Sequence, residues 1–275
     1  MKELKGRTAV VTGAGSGLGR AMALAFAREG MDLALADVDF DSLKNVATEV
    51  ESTSVRCFSM KVDVSKEAEV RAFADRVEDP FLVCNNAGVS PLGAAWENTA
   101  ADWQWILGVN LWGVIHGVRA FAPRLIAKNA GHIVNTASVA GLISPPGSAA
   151  YNVTKHAVVA LSESLYHDLR ERNLQVGVSV LCPAYVPTGI SDSERNRPVE
   201  FGVSIKSKET LAKEAILKKA VSSGRLSADD VATAVVAAVK EDRFYILTHP
   251  RIKGAIRSRM DDILEERAPR DPLKL

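Results

Sequence analysis

The chain has 275 residues, of which 47% are apolar and 24% charged, with a net charge of +1. That balance suits one large globular α/β domain and excludes the long-range electrostatic pull of a nucleic-acid or membrane-surface binder. Cys57, Cys84 and Cys182 are scattered outside any Cys-x-x-Cys pair, which excludes a disulfide scaffold. With no apolar run near ~20 residues and no leader pattern before the first strand-like segment, a cytoplasmic protein is expected.

In chain order, Thr8–Thr12 reads as a short buried strand, followed by a Gly-rich turn and a helix over Arg20–Glu29 that ends at Gly30. Leu33–Ala36 is a second strand closing on Asp37, Phe40–Glu51 a helix, Val55–Val62 a strand, Glu67–Val77 a helix and Phe81–Cys84 a fourth strand. Ala101–Lys128 carries a long helical pattern interrupted near Asn110. His132–Thr136 is a fifth strand, Tyr151–Arg172 a helix with Val158, Leu161, Leu165 and Leu169 on one stripe, and Val176–Leu181 a sixth strand. The strands are apolar runs rather than alternating ones, the mark of strands covered on both faces. Regular strand–helix alternation then predicts a doubly wound parallel sheet. From Pro187 to about Ser207 the sequence is polar and aperiodic, and reads as a surface loop or lid. Ser227 caps a helix over Val231–Lys240, with Asp229 and Asp230 at the positive end of its dipole. Phe244–Thr248 is a last strand. Ile256, Met260, Ile263 and Leu264 mark an exposed or partner-contacting terminal helix ahead of a frayed tail. The whole is read as one domain over 1–275: a core at 7–188, a lid at about 187–215 and a C-terminal helix and tail at about 250–275.

The first turn, Thr12-Gly13-Ala-Gly15-Ser16-Gly17-Leu18-Gly19, places four glycines within seven residues between a strand and a helix. Glycine lets backbone N–H groups approach a pyrophosphate, and the helix N-terminus supplies further free donors. The spacing is Gly-x-x-x-Gly-x-Gly, and no Gly-Lys-Ser/Thr follows, so a Walker-type loop is excluded. Asp37 ends the second strand 18 residues beyond Gly19. An acid there accepts a ribose 2′-hydroxyl and repels a 2′-phosphate, so NAD is expected over NADP. Further on, Tyr151 and Lys155 stand one helical turn apart, downstream of Ser138. A cation beside a phenol at ~4 Å and an effective dielectric of ~20 is worth about 4 kcal/mol, enough to lower a tyrosine pKa by ~3 units. On that basis the pair is expected to exchange protons near neutrality.

Together with Asn85-Asn86-Ala87-Gly88 and Asn110, these motifs resemble the short-chain dehydrogenase/reductase family, in its single-domain branch of about 250 residues. The likeness runs from Arg7 to Thr188 and more loosely to Thr248, and it implies a Rossmann-type fold. It implies that Tyr151 is the acid/base on the substrate oxygen, that Lys155 lowers its pKa and holds the nicotinamide ribose, and that Ser138 hydrogen-bonds the same oxygen. Asn110 would hold a water that relays the proton from Lys155. Gly13, Ser16, Gly17, Leu18, Gly19 and Asp37 would bind the cofactor. So would Asp63, Val64, Asn86, Ala87 and Gly88 on the adenosine side, and Pro183, Val186 and Thr188 at the carboxamide. A homodimer or homotetramer, paired through part of the Ala101–Lys128 segment, is implied as well.

Two departures stand out. Ala184 occupies a position where the family usually has glycine, which disfavours φ > 0 there. Asp79-Pro80 leaves a short link into the fourth strand. Pro91–Trp96, Val139–Pro146 and Tyr185 to about Phe201 are expected to wall the pocket, with Leu92, Leu142, Ile143, Pro145, Pro146 and Tyr185 making it mostly apolar, so the partner expected is a hydrophobic secondary alcohol or its ketone. A weaker likeness to a branch acting on bulky benzylic alcohols rests on Ser193–Pro198 and Phe244–Leu247. Arg195 and Arg197 read as a solvated loop face. The five histidines lack His-x-x-x-His or His-Glu-x-x-His spacing, so no metal site is expected. Two alternatives stay open: an NADP-dependent ketone or acyl-thioester reductase, and a non-catalytic dinucleotide sensor.

Overall fold

The apolar runs form strands, and the periodic segments between them form the helices that cover both faces. In the computed structural model, which describes residues 2–204 and 206–274, these are β1 (Thr8–Thr12), α1 (Gly17–Arg28), β2 (Asp32–Asp37), α2 (Phe40–Glu51), β3 (Cys57–Lys61), α3 (Glu67–Asp75), β4 (Pro80–Asn85), α4 (Ala100–Leu107), α5 (Gly113–Lys128), β5 (His132–Thr136), α6 (Ala149–Glu171), β6 (Gly177–Leu181), α7 (Lys208–Ser222), α8 (Ala228–Glu241), β7 (Tyr245–Ile246) and α9 (Ile252–Leu264). The strands lie in the order β3-β2-β1-β4-β5-β6-β7. Every pairing is parallel, with Val10 opposite Ala34 on one side and Val83 on the other. The chain winds outward from β1 in one direction and then returns to start β4 on the other side. A crevice therefore opens at the carboxyl ends of β1 and β4, the place where such sheets take ligands.

The central strands explain why period-2 alternation is missing: every residue of β5 and β6 is buried. One core layer packs α1, α2 and α8 on the sheet through Met22, Phe26, Leu35, Leu43 and Val235. The other packs α3, α5 and α6 through Phe73, Phe121, Leu125 and Leu169. Thr99 and Ser227 close capping boxes on α4 and α8 with Asp102 and Asp230.

One expectation takes a definite form and two change. The interruption near Asn110 is a π-helical turn over Gly108–Trp112 that keeps the long segment helical while rotating its second half. At the end of the span read as lid, and continuing past it, Lys208–Ser222 is a four-turn helix. It buries only Thr210 and Val221, too narrow a stripe to be read as periodicity. The tail is not frayed where it leaves α9. Arg270 donates to Asp262 from Nε (2.8 Å to Oδ1) and from its backbone N–H (3.1 Å to Oδ2), and Arg267 joins the same buried carboxylate.

At the amino end of the sheet, away from the crevice, His132 is fully buried. Its Nδ1 accepts from Lys2 Nζ (2.7 Å) and its Nε2 donates to Ser179 Oγ (2.7 Å), which in turn donates to the Arg243 carbonyl (2.6 Å). This arrangement needs the neutral ring. Burial, with Lys2 adding to it against the opposing pull of Asp242, lowers the imidazole from 6.5 to about 4. Its contribution to stability is full above pH 6.5 and is lost as pH falls toward 4, on the order of 3 kcal/mol in all. Urea unfolding across that window should show stability falling with acid, and His132→Gln should flatten the dependence; an unchanged slope in the variant would assign the acid lability elsewhere.

Candidate active site

A cleft of about 640 Å³ opens over the carboxyl ends of β1 and β4. Its floor is the β1–α1 turn, where Gly13 (φ 65°) and Gly17 (φ 53°) take left-handed conformations. The turn is tight enough that a Cβ on Gly19 would lie 1.9 Å from the Gly13 carbonyl oxygen, and one on Gly13 would lie 2.7 Å from Ala87 Cα. Asn86 braces it, donating from Nδ2 to the Thr12 carbonyl (3.1 Å) while its Oδ1 accepts from Thr136 Oγ1 (3.2 Å). Thr12 Oγ1 accepts from the Asn86 and Ala87 N–H groups, tying β4 to β1. These contacts leave a cradle walled by backbone, with the N-terminus of α1 pointing into it. α1 has no acidic residue in its first turn, so nothing offsets the positive end of its dipole. The donor set fits the pyrophosphate of a dinucleotide.

Asp37 stands at the rim, accepting from the Gly15 N–H (2.8 Å) and the Asp39 N–H (2.9 Å). These bonds fix its carboxylate and leave further lone pairs for a ribose hydroxyl. Burial raises its pKa, opposed by both N–H donors. Asp63 Oδ1 holds the Ser65 N–H and hydroxyl (3.0 and 2.7 Å) beside Val64.

At the other end, Lys155 is buried, and its Nζ donates to the Thr136 carbonyl (2.9 Å). Desolvation lowers it from 10.5 to about 8. Nζ lies 5.6 Å from the centroid of the Tyr151 ring. Ser138 Oγ accepts from the Ala140 N–H (3.2 Å) and reaches the Pro183 carbonyl at 3.4 Å, a long bond that leaves its proton available to another acceptor. The Tyr151 phenol is not lowered, as the Tyr–Lys spacing predicts; it is raised. Desolvation dominates, with Ser138 pulling the other way, because the lysine amine is held on Thr136 rather than on the phenol oxygen.

Asn110, fully buried at the π-turn, accepts from the Val89 N–H (2.8 Å) and donates to the Val89 carbonyl (2.9 Å) and Thr154 Oγ1 (3.3 Å). It sits across Gly88 from Lys155: a Cβ there would lie 3.4 Å from Asn110 Oδ1 and 3.6 Å from Lys155 Nζ. Of the residues singled out in the sequence, Gly13, Ser16, Gly17, Leu18, Asp37, Asp63, Val64, Asn86, Ala87, Gly88, Ser138, Tyr151, Lys155, Pro183, Val186 and Thr188 line the one cleft. Gly19 and Asn110 support it from behind. Ala184 also lines it without positive φ, so its methyl brings no backbone strain, and its N–H donates to His249 Nδ1 (3.2 Å). Among the described residues no group of three or more His, Cys, Asp or Glu is placed to hold a metal.

The substrate end matches the sequence reading in part: residues between Val186 and Phe201 line the cleft as expected, whereas those of 91–96 and 139–146 do not. Leu92, Leu142, Ile143, Pro145, Pro146 and Tyr185 do not line the cleft; Trp105, Ile190, Pro198, Phe201 and Val221 do. Leu92 and Ile143 are buried in the core, and Tyr185 turns outward. Arg197 is not on a solvated face. Its side chain is 6% exposed, its Nη1 pairs with Asp102 Oδ1 at 2.7 Å, and its guanidinium lies 5.2 Å from the Trp105 ring. Asp102 recruits it across 95 positions, a pairing invisible in local sequence.

The short chain dehydrogenase family profile matches residues 7–198. A short-chain dehydrogenase/reductase from Burkholderia phymatum, solved in complex with NAD, superposes with a TM-score of 0.97 at 50% identity, covering 100% of both chains. The CLA biosynthesis dehydrogenase/reductase of Lactiplantibacillus plantarum is 31% identical over 98% of this chain and 97% of that one. The C alpha-dehydrogenase of a Sphingobium species is 31% identical over 98% and 89%.

The packing of the turn gives a direct check. Gly19→Ala should destabilise the protein by about 1–3 kcal/mol, lowering Tm by ~2–4 °C per kcal/mol, because the methyl meets backbone. Gly254→Ala, with nothing within 4 Å in helix α9, should leave Tm unchanged or raise it. Equal melting temperatures for Gly19→Ala and the parent would contradict the turn geometry.

Proposed function

The chain belongs to the short-chain dehydrogenase/reductase family, and from that premise we propose that it transfers a hydride between NAD(H) and a hydrophobic secondary alcohol or its ketone, with Tyr151 as acid/base. The observation that carries this reading is the convergence of Ser138, Tyr151 and Lys155 at one end of the same cleft whose other end is the glycine turn and Asp37. A bound nicotinamide would supply the hydride acceptor or donor. Everything else falls to the chain's own groups.

Ser138 offers its loosely held proton to the substrate oxygen and orients it without adding charge. Tyr151 exchanges the proton at that oxygen. Its raised pKa keeps the phenol protonated, so it holds the proton that ketone reduction consumes. Oxidation needs the phenolate, and the lysine cation below it favours that form, its charge held below about pH 8. The Lys155 amine keeps two N–H groups beyond its bond to Thr136, which suit ribose hydroxyls. Asn110 braces Val89 and, in this reading, anchors the water that takes the proton outward.

The preference for NAD rests on Asp37 and on the NAD complex of the Burkholderia relative. The apolar, partly aromatic far wall of Trp105, Ile190, Phe201 and Val221 supports an aromatic or cyclic substrate. Assembly into a homodimer or homotetramer through the helical segment carrying Trp112, 49% exposed, belongs to the same proposal. So does a cytoplasmic setting; among the described residues no helix is long and apolar enough to cross a membrane.

Tyr151→Phe should lower kcat by about 10²–10⁴ while NADH binding, followed by fluorescence titration, is retained; turnover near the parental rate would refute the assigned acid/base. Asp37→Ala should narrow the gap between NAD and NADP in kcat/KM, and an unchanged ratio would place cofactor selection elsewhere. An NAD-reduction screen over benzylic, alicyclic, aliphatic and sugar alcohols tests the substrate class, and activity confined to sugar alcohols would overturn it.

A further inference from the structure

The segment over the cleft carries two arginines with opposite surroundings. Short 3-10 turns at Gly189–Asn196 and Val199–Phe201 form this lid. Arg197 fastens it to the body through the buried pair with Asp102, while within the segment its Nε donates to the Gly202 carbonyl (2.7 Å) and its Nη2 to that of Phe201 (3.2 Å). Ser193 is a second fastening, its Oγ accepting from the Ser90 N–H at 2.9 Å. Arg195, lying between the two, is exposed and lines the cleft. Its Nη1 donates to the carbonyls of Gly189 (2.9 Å) and Asp192 (3.0 Å). Nε and Nη2 have no hydrogen-bond partner, and no carboxylate pairs with it, among the described residues.

Its position follows from its neighbours. A Cβ on Gly189 would lie 3.2 Å from Arg195 Nη1, and one on Gly17 would lie 3.2 Å from Thr188 Cβ. Arg195 thus packs on Gly189, the chain neighbour of Thr188, which touches the glycine turn. From there its charge also reaches Asp39, whose carboxyl is held down chiefly by Ser42 and to a lesser degree by Arg195. A guanidinium packed on Gly189 and within electrostatic reach of Asp39 therefore lines the same cleft as the glycine turn. The other cations lining the cleft are committed: Lys66 pairs with Asp63 (3.6 Å) and Glu69 (3.4 Å), and Lys155 is buried on Thr136. The turn itself offers N–H dipoles and the Ser16 hydroxyl, but no cation, to a doubly charged pyrophosphate.

We propose that Arg195 is a cofactor-binding residue that the lid delivers to the pyrophosphate of the dinucleotide, with Arg197 as the positioning residue that holds the lid at the right distance. This rests on the reading of the cleft as a dinucleotide site. The pyrophosphate is favoured over a 2′-phosphate because Asp37 stands at the ribose, where a second phosphate would meet a carboxylate. Two free N–H groups in a planar fork match two phosphate oxygens, and a charge-assisted contact of this kind is short and strong.

Equilibrium titration of the full-length protein with NADH, ADP-ribose, adenosine and NADPH separates the possibilities. Arg195→Gln should weaken NADH and ADP-ribose about tenfold and flatten the salt dependence of their Kd, leaving adenosine and Tm unchanged. Arg195→Lys should recover part of the loss. Unchanged ADP-ribose binding in Arg195→Gln would overturn the proposal, as would a loss confined to NADPH, which would relocate the contact to a 2′-phosphate. If the parent protein binds neither NADH nor ADP-ribose, the dinucleotide reading itself fails. Arg197→Lys, which keeps the charge but not the fork, should raise the NADH dissociation rate several-fold in stopped flow while a primary deuterium isotope effect on hydride transfer persists. Parental release rates would remove Arg197 from the positioning role.

Discussion

The structure is arranged around one buried cation. Lys155 sits in the protein with a backbone carbonyl as its only hydrogen-bond partner and no carboxylate in salt-bridge range among the described residues. An amine so placed is costly to keep charged, and its fall to about 8 is the measure of that cost. The surroundings are shaped to accommodate it. Gly88 leaves room above the amine, and Gly141 lets another stretch of chain approach, since a Cβ there would lie 2.5 Å from the Lys155 carbonyl oxygen. A carboxylate partner would stabilise Lys155 further, but it would also neutralise the one charge available to the phenol next to it. The absence of a counterion is therefore a functional constraint that packing has to bear.

The same logic orders the other end of the cleft. Cross-links between β1 and β4 run through Thr12 and Asn86, and they join the two strands where the winding of the sheet reverses. A rigid cradle requires both strands to end in register. The side-chain bonds from Asn86 to Thr12 and Thr136 do this beyond the last ladder hydrogen bonds. Next to it a second buried polar chain, Asn85 Nδ2 to Asn135 Oδ1 (2.9 Å) and Asn135 Nδ2 to Ser162 Oγ (3.0 Å), locks β4, β5 and α6. Lys155 and Tyr151 start that same helix. Fixing α6 against the strands thus fixes the distance between the reacting end and the cradle, the geometric requirement for any transfer between two bound groups.

How much of the fold is legible in the sequence depends on the range of the interactions that decide it. Strands β1 and β5 and helix α2 match their apolar patterns to the residue because local periodicity decides them. The cradle is legible because glycines at fixed spacing have a local cause, and so are Ser138, Tyr151 and Lys155. Features that depend on distant neighbours are not. Arg197 is charged in a polar stretch, and only Asp102 and Trp105, far away in sequence, make it a core residue. Helix α7 leans on the body through Thr210, whose hydroxyl donates to Glu97 (2.6 Å), rather than through an apolar stripe, so no periodic signal marks it. The Tyr151 phenol departs from the sequence reading for the same reason. The spacing to Lys155 is local, but the desolvation that outweighs it is a property of the whole cleft.

The two ends of the site are also built from different materials. The end that carries Ser138, Tyr151 and Lys155 stands on strand ends and on α6, elements locked to one another by buried bonds. The far wall is made of 3-10 turns fastened at a few points, Arg197 on Asp102 and Ser193 on Ser90 among them. A wall of that kind can exchange Ile190, Pro198 or Phe201 for other side chains without disturbing the cation or the cradle. A strand-end residue such as Thr136, which holds both Lys155 and Asn86, has no such freedom. The division has a physical logic: groups that must keep fixed distances sit on the rigid part of the fold, and the wall that contacts the variable part of a ligand sits on loops.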